Sequence, residues 1–352
     1  MRPAIEHANI QLFLSAAVLF LVALGLTAPV KAGTLRELDL LRTAHRMPGR
    51  SIWTPTGTHD FFEYFWLSNQ SIIAVTGHSM QPIQLILADA RNGRRKTVNY
   101  LVPGVGGEMD TRHNLLIPIS LAPDSRTFLG FFAAVPAPAS YEVFGVGSKF
   151  HRRWFTENCT DDLHWMPDGQ HWFCWDRDTD RIEMYGLNRR KAQFIAVSGL
   201  PSPVNHGSWT ESVGQVVGVT PQGTVILMTG STHEVGAKFT FYTFQAEDGA
   251  NAKKIGTMQF PDNLIMSDIA LSPQGNKLAW QLEANDFSSS HKVSIWTSGI
   301  DCSHKSEVGT THVDAAKFTL SSMMDMSGLA WSPDGKRISF VYHDLLWTAP
   351  VD

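Results

Sequence analysis

A short apolar segment that runs into a Pro-Asp-Gly type of turn and leaves it as a second apolar segment recurs along this chain. The last copy is the cleanest: Leu329-Ala330-Trp331-Ser332-Pro333-Asp334-Gly335-Lys336-Arg337-Ile338-Ser339-Phe340. Aligned on Pro333, earlier copies place Pro273, Pro221, Pro167 and Pro123 in the same slot, and a degenerate first copy places Ser68 there. The slots are spaced by 44 to 60 residues, a period that belongs to propeller blades or solenoid units. The turn has a mechanical basis: Pro presets φ at the first corner, Asp or Gln bonds back to the backbone, and Gly tolerates positive φ.

Two residues before the slot stand Trp66, Leu121, Trp165, Val219, Leu271 and Trp331; five after it stand Ile73, Phe128, Trp172, Ile226, Leu278 and Ile338. The next position holds Ala74, Leu129, Phe173, Leu227, Ala279 and Ser339. A strand with one wet face alternates; this one is apolar on both faces, as a sheet packed between two other sheets requires. Radial blades provide that environment and leave only short, protected edges. Third and fourth strands follow the turn, as in residues 182–187 and 192–197. The last copy runs out of chain after one further strand at residues 344–349. Its outermost strand must come from elsewhere, and Ser51-Ile52-Trp53-Thr54 is the candidate, a closure that removes an open sheet edge. The expected fold is all-β: a six-bladed β-propeller of four-stranded antiparallel blades over residues 51–352, closed by an N-terminal strand.

The stretch from Trp331 to Phe340 resembles the Trp-Ser-Pro-Asp-Gly-Lys signature of TolB-like β-propeller repeats, the WD-repeat-like units of bacterial envelope proteins. The resemblance covers residues 51–352 and fades from the last copy towards the first. It implies the six-bladed ring and an envelope location. The motif is structural, so no catalytic residues come with it. TolB itself carries a sizeable α/β domain ahead of its propeller, whereas the segment before residue 51 has room for one short helix after a leader. The partners of TolB therefore do not carry over.

The chain is 43% hydrophobic and 18% charged, with a net charge of −4 and 11 Trp in 352 residues. That is enough apolar material for one large core, without the basic excess of a nucleic-acid binder. Residues 12–26 carry no charge, Arg2 precedes them, and Val30-Lys31-Ala32-Gly33 follows as a small-x-small pattern for cleavage after Ala32. Residues 1–32 thus read as a secretory signal peptide. The alternative is an uncleaved inner-membrane anchor, since residues 11–28 sit at the lower edge of spanning length. In residues 33–50, Thr34 and Glu37 fit a capping box, and Leu38, Leu41 and His45 continue one face of a short helix.

Cys159, Cys174 and Cys302 leave at least one thiol unpaired. If Trp165 lies opposite Trp172, Cys174 faces residue 163, and strand rise puts Cys159 roughly 13 Å further along. That is beyond disulfide reach, so all three are expected as thiols, with Cys174 in the core.

In an up-and-down blade the first and third turns emerge on one face, and the second turns and interblade loops on the other. Third turns here are basic: Arg94, Arg95 and Lys96 with Arg91; Arg152 and Arg153 with Lys149; Arg189, Arg190 and Lys191; Lys253 and Lys254; and Lys305. Opposite loops are richer in acid, including Asp161, Asp162, Asp178, Asp180 and Asp286. One reading is that the cations guard outer edge strands. The other is that a basic rim meets lipid headgroups or an acidic protein partner.

The acidic face carries the long loops, where binding residues usually reside. Within them His113, Asn205, His206, Trp209 and His312 form the candidate ligand site at the channel mouth. No two histidines have ligand spacing, so no metal and no cofactor is expected. Asp176-Arg177-Asp178-Thr179-Asp180 lacks the Gly and Glu of a calcium loop, and Gly77-His78-Ser79-Met80-Gln81 lacks the strand-to-helix context of a nucleophile elbow. The expected role is an exported, noncatalytic binding or scaffolding propeller, monomeric when isolated, in the periplasm or outside the cell. Alternatives are a propeller enzyme, such as a lactonase or a metal-assisted hydrolase or lyase with its site at the channel mouth, and a membrane-anchored subunit of an envelope complex.

Overall fold

A computed structural model describes residues 45–46, 61–77, 84–100, 114–124, 126–134, 140–145, 151–154, 163–176, 181–187, 193–201, 204–205, 210–211, 214–230, 238–261, 263–284, 290–314, 326–342 and 345–351. All lie in the compact unit Leu38–Asp352; the other unit, Met1–Glu37, is outside the described residues. Among the described residues every regular element is a β-strand, and none forms a helix long and apolar enough to cross a membrane.

The strands assemble into six four-stranded antiparallel sheets, here called blades and numbered along the chain. Five are continuous meanders. Blade 1 holds Phe61–Ser68, Ser71–Gly77, Gln84–Asp89 and Arg95–Tyr100; blade 2 holds Asn114–Leu121, Thr127–Ala134, Ser140–Gly145 and His151–Trp154. Blade 3 holds Leu163–Trp165, His171–Asp176, Arg181–Gly186 and Gln193–Ile195; blade 4 holds Gln215–Val219, Thr224–Thr229, Lys238–Gln245 and Lys253–Gln259. Blade 5 holds Leu264–Leu271, Lys277–Ala284, Ser290–Gly299 and Ser306–Asp314. Blade 6 is composite: Met326–Trp331, Arg337–Tyr342 and Leu345–Pro350 are completed by His45–Arg46. Each first strand touches the first strand of the next blade, and that of blade 6 touches that of blade 1, so the ring closes.

The closing strand lies upstream of the expected one. His45 pairs with Thr348 and Arg46 with Trp347, so His45 is in a strand rather than on the face of a short helix. Residues 51–54 lie outside the described residues.

Turn chemistry explains why the repeat folds as it does. Gly169, Gly223, Gly275 and Gly335 have φ of 62°, 80°, 72° and 67°. Each donates its N–H to the carbonyl three residues earlier, at Met166, Thr220, Ser272 and Ser332. Asp168 accepts from the Gln170 and His171 amides, and Asp334 from Lys336 N–H and the Ser332 hydroxyl. The expected register holds in blades 2, 3, 5 and 6, where Leu121 faces Phe128, Trp165 faces Trp172, Leu271 faces Leu278 and Trp331 faces Ile338. In blade 1 a bulge between Trp66 and Ser68 shifts the register so that Trp66 faces Ile72, and in blade 4 a turn shorter by one residue makes Val219 face Val225. A one-residue slip moves a side chain to the other face; Ile73 and Ile226 therefore sit one place late in the sequence columns.

Both faces of each second strand are buried, as expected, because alternate residues serve different interfaces. Trp172 and Cys174 pack towards blade 2 with Leu129 and Val143, while Phe173 packs towards blade 4 with Val225 and Leu227. Leu278, Trp280 and Leu282 face blade 4, and Ala279 faces blade 6. Tyr64, Ile72 and Ala74 meet Val341 and Leu346 where blade 1 adjoins blade 6. Between blades 1 and 2, the Phe65 and Phe128 rings are 5.4 Å apart.

Tryptophans two residues before the slot fasten blades 1, 3 and 6 to their predecessors. Trp165 donates its indole N–H to Ser120 O at 3.3 Å, and Trp331 to Ala270 O at 3.1 Å. Trp66 donates to Ser339 Oγ at 2.8 Å, and that hydroxyl in turn donates to Ala330 O. Ser120, Ala270 and Ala330 occupy the same position of the repeat, three residues before the slot. Tyr64 adds a hydroxyl bond to Gly328 O at 2.5 Å.

Cys174 faces Leu163 across the sheet, as expected. It is nonetheless disulfide-bonded, with its partner outside the described residues, whereas Cys302 is a free buried thiol. The expectation failed because it extended strand geometry back to Cys159, and the first strand of blade 3 spans only Leu163–Trp165.

Candidate functional site

Rim cations that the structure places lie on or beside outermost strands. Arg95 and Lys96 begin that of blade 1, Arg152 and Arg153 are within that of blade 2, and Lys253 and Lys254 begin that of blade 4. Arg94 precedes the blade 1 strand and is exposed, as is Lys96. Arg91 is exposed and turns its guanidinium back on Asp89, with Nη2 and Oδ2 3.0 Å apart. Hydrogen bonds from Arg91 hold the Asp89 carboxyl down at about 2. Arg189, Arg190 and Lys191 are outside the described residues.

Of the channel-mouth candidates, His113, His206 and Trp209 are also outside them. Asn205 lies in a small hairpin of Val204–Asn205 with Thr210–Glu211, where it faces Thr210. His312 is exposed on the outermost strand of blade 5, opposite Lys292. The structure does not bring Asn205 and His312 into one described cluster.

It does gather Lys253 and Lys254 around a cavity of about 740 Å³ on the outer side of blades 4 and 5. The blade 5 wall comes from Asn276 in the turn and Lys277 at the start of the second strand, from Thr297 and Ser298, and from the loop carrying Asp301, Ser303 and His304. A bulge in blade 4 shapes the other wall: the pairing skips Ile255 between Lys254 and Gly256. Such a bulge re-aims the side chains around it. Gly256 lets the loop settle on this strand, since a Cβ there would lie 2.4 Å from Asp301 O.

Internal bonds fix the loop. Gly299 N–H donates to Ser303 O and Cys302 N–H to Gly299 O, both at 2.9 Å, and Ile300 N–H reaches Asn276 O at 3.2 Å. Cys302 and His304 adopt positive φ of 65° and 49°. That conformation turns Cys302 into the core shared by blades 4 and 5, where burial pushes its thiol up to about 11. It is a neutral packing group, since nucleophilic cysteines need a lowered pKa. Asp301 accepts from Ser303 N–H at 3.0 Å and Ser303 Oγ at 2.6 Å. Those bonds lower its pKa and keep it ionised. Among the described residues Lys253 and Lys254 make no ion pair. Sequence reading found these two lysines but missed Lys277 and Asn276, whose place beside them depends on blade-to-blade register.

Two titratable groups sit on innermost strands. His164 of blade 3 lies against Phe173, ring centroids 5.9 Å apart, and bonds to the Val216 backbone of blade 4. Burial lowers its pKa to about 4. Asp268 of blade 5 accepts from Leu329 N–H of blade 6 at 2.9 Å and from Ile269 N–H at 2.8 Å. Burial raises it to about 6 against those bonds, and the charge of Glu283 adds to the rise. Both side chains are half-buried rather than sealed, so protein crowds them while water reaches an edge.

No family model and no curated protein matches the sequence. Solved structures similar to it include TolB from Acinetobacter baumannii, at 15% identity and TM-score 0.49 over 80% of this chain and 64% of that one. The chain thus spans just under two thirds of that relative. A putative TolB from Agrobacterium tumefaciens is similar at 12% identity and TM-score 0.47, over 83% of this chain and 91% of that one. An oligogalacturonate lyase from Vibrio parahaemolyticus is similar at 10% and 0.48, over 85% and 92%. At these identities the likeness is one of fold, and neither ligand nor activity follows from it.

Proposed function

We propose that this chain is an exported, noncatalytic binding or scaffolding propeller of the bacterial envelope, whose outer rim meets an anionic protein partner. The observation that carries the reading is the division of labour within blades 1 and 4. Inner and middle strands are consumed by interblade packing, while the outer strands display cations at Arg94, Lys96, Lys253 and Lys254. A rigid ring with a charged rim suits electrostatic docking. Export is supported by the leader-like residues 1–32 and by the disulfide at Cys174, which belongs in an oxidising compartment.

Crosslinking capture of the tagged full chain from its native envelope tests this, with mass spectrometry of the partner and of the chain's own N-terminus. One stoichiometric partner, lost on charge reversal at Lys96 and Lys254, is the expected result. An N-terminus starting at Gly33 marks cleavage, and an intact one favours the anchored-subunit alternative. Capture of nothing above background overturns the scaffold role. One observation favours an enzyme instead: Asp268, with its raised pKa, lies within the field of a second carboxylate, Glu283, an arrangement that active sites use for proton transfer.

A further inference from the structure

We infer that the disulfide at Cys174 joins it to Cys159 and is an oxidative lock set before blades 2 and 3 pack, so that the chain must meet its oxidant while still unfolded. The sequence holds three cysteines. Cys302 is a free thiol in the core between blades 4 and 5, whereas Cys174 is disulfide-bonded. Cys174 is 0% exposed, on the second strand of blade 3, among Leu129 and Val143 of blade 2 and Leu163, Trp165 and Trp172 of its own blade. Bridged cysteines stand within about 7 Å of each other, Cα to Cα, so a second chain cannot present a sulfur there. The bond is therefore internal, and Cys159 is the one cysteine left to make it.

Burial sets the order of events. Forming the bond takes two electrons and two protons from the pair of thiols; a disulfide of the oxidising compartment accepts them and leaves as two thiols. One cysteine thiolate attacks a sulfur of that oxidant, and the other cysteine thiolate then displaces it from the mixed disulfide. Both steps need a thiolate that a reagent can reach, and apolar burial disfavours the thiolate and removes the access. Leu129, Val143, Leu163 and Trp172 are themselves no more than 2% exposed. Glu183, opposite Cys174 on the third strand, is also buried and accepts from the Tyr185 hydroxyl. No oxidant enters that core without parting the blades.

The lock sits where the repeat is thinnest. The first strand of blade 3 has three residues, Leu163–Trp165, against five to eight in the other blades, and Cys174 faces its opening residue, Leu163. Closing a loop of about 15 residues restricts the unfolded chain and favours folding on the order of a hundredfold. The inference rests on the export part of the proposed function for the compartment that supplies the oxidant. Its chemistry is read in vitro, so it fails separately from the scaffold role.

Peptide mapping of the purified full chain, alkylated without reductant, should recover Cys159 and Cys174 in one cross-linked species and Cys302 as the alkylated thiol. Three alkylated thiols, or a bond to Cys302, overturns the assignment. Cys159→Ala should bring the urea midpoint of the oxidised chain down to that of the reduced one, and an unchanged midpoint also overturns it. For the order of events, the chain is reduced in urea, refolded with reductant and then given a glutathione redox buffer, with bond formation followed by alkylation at intervals. The folded dithiol should oxidise about a hundredfold or more slowly than the same chain held in urea, because it reacts only through opening. A reduced chain that fails to regain the circular dichroism of the oxidised one supports the same order, since the ring then needs the bond first. Equal rates of oxidation in the folded and unfolded chains overturn the lock.

Discussion

Innermost strands of this ring are tied to neighbouring blades by side-chain hydrogen bonds, whereas outermost strands mix residues packed between blades, such as Ile195 and Met258, with exposed cations. Trp66, Trp165 and Trp331 each fasten an inner strand to the blade before it, and His164 and Asp268 reach across to the blade after it. On the outer strands, Arg94, Lys96, Lys253 and Lys254 are exposed, and the one large exposed hydrophobic noted among the described residues is Phe194. Under the proposed reading, stability and recognition are therefore written in different strands. The same kind of substitution should have very different consequences in the two.

Trp331→Ala tests the interior most severely. Its side chain is 5% exposed in the core between blades 5 and 6, and removal of a buried Trp costs about 3–5 kcal/mol. A urea melt should show the midpoint falling with m unchanged. A collapse of m instead would mean that blades 5 and 6 unfold apart from the others.

Next in size is the pH response of the inner strands. Asp268 titrates at about 6 in the fold against 3.8 for the ordinary carboxyl. Between those values the folded chain keeps a proton that the unfolded chain has lost, so this contribution to stability falls as pH rises. His164 titrates at about 4 against 6.5. Between those values the unfolded chain takes a proton that the folded chain refuses, so this contribution rises with pH. Each is worth at most about 3 kcal/mol, and they oppose each other from about pH 4 to 6. Asp268→Asn should leave a melting temperature that climbs from pH 4 to 6.5, and His164→Gln one that falls from pH 4 to 6. Curves parallel to the wild type in both variants would show that neither group is shielded from water.

Smaller effects come from the turns. Gly275 and Gly169 share positive φ, but a Cβ on Gly275 would meet Thr220 of blade 4 at 2.7 Å, while one on Gly169 meets nothing within 4 Å. Both Ala substitutions incur the left-handed penalty of about 1–2 kcal/mol. Gly275→Ala should cost a further ~1 kcal/mol for overpacking. Equal losses in denaturant melts would mean that the turns of neighbouring blades do not bear on each other.

What the sequence revealed follows the same division. First turns were legible because Pro and Gly are demanded by backbone geometry at fixed offsets, and the apolar columns because second strands are buried on both faces. Register slipped because a bulge at Leu67 in blade 1 and a turn shortened by one residue in blade 4 both leave the composition of the strands intact. The closing strand escaped notice because His45–Arg46 is two residues long and has no period to read. Val197, expected to end the fourth strand of blade 3, instead joins Ser198 in parallel pairing with Ala250–Asn251 of blade 4. Only contacts between blades decide that switch, and they also decide that Lys277 joins Lys253 and Lys254.

The weakest stability effect belongs to the rim, and it makes the comparison sharpest. Lys253→Glu with Lys254→Glu exchanges exposed side chains that make no ion pair among the described residues. Stability should move by no more than about 0.5 kcal/mol, within a degree or two in a thermal melt of a chain this long. Asp301 stands nearby with its carboxylate ionised, so the variant turns the cavity from net positive to net negative at Lys277's expense. The fold should stay intact. If the double variant instead melts as early as Trp331→Ala, the two lysines hold blade 4 together, and the separation of interior from rim does not exist on this side of the ring.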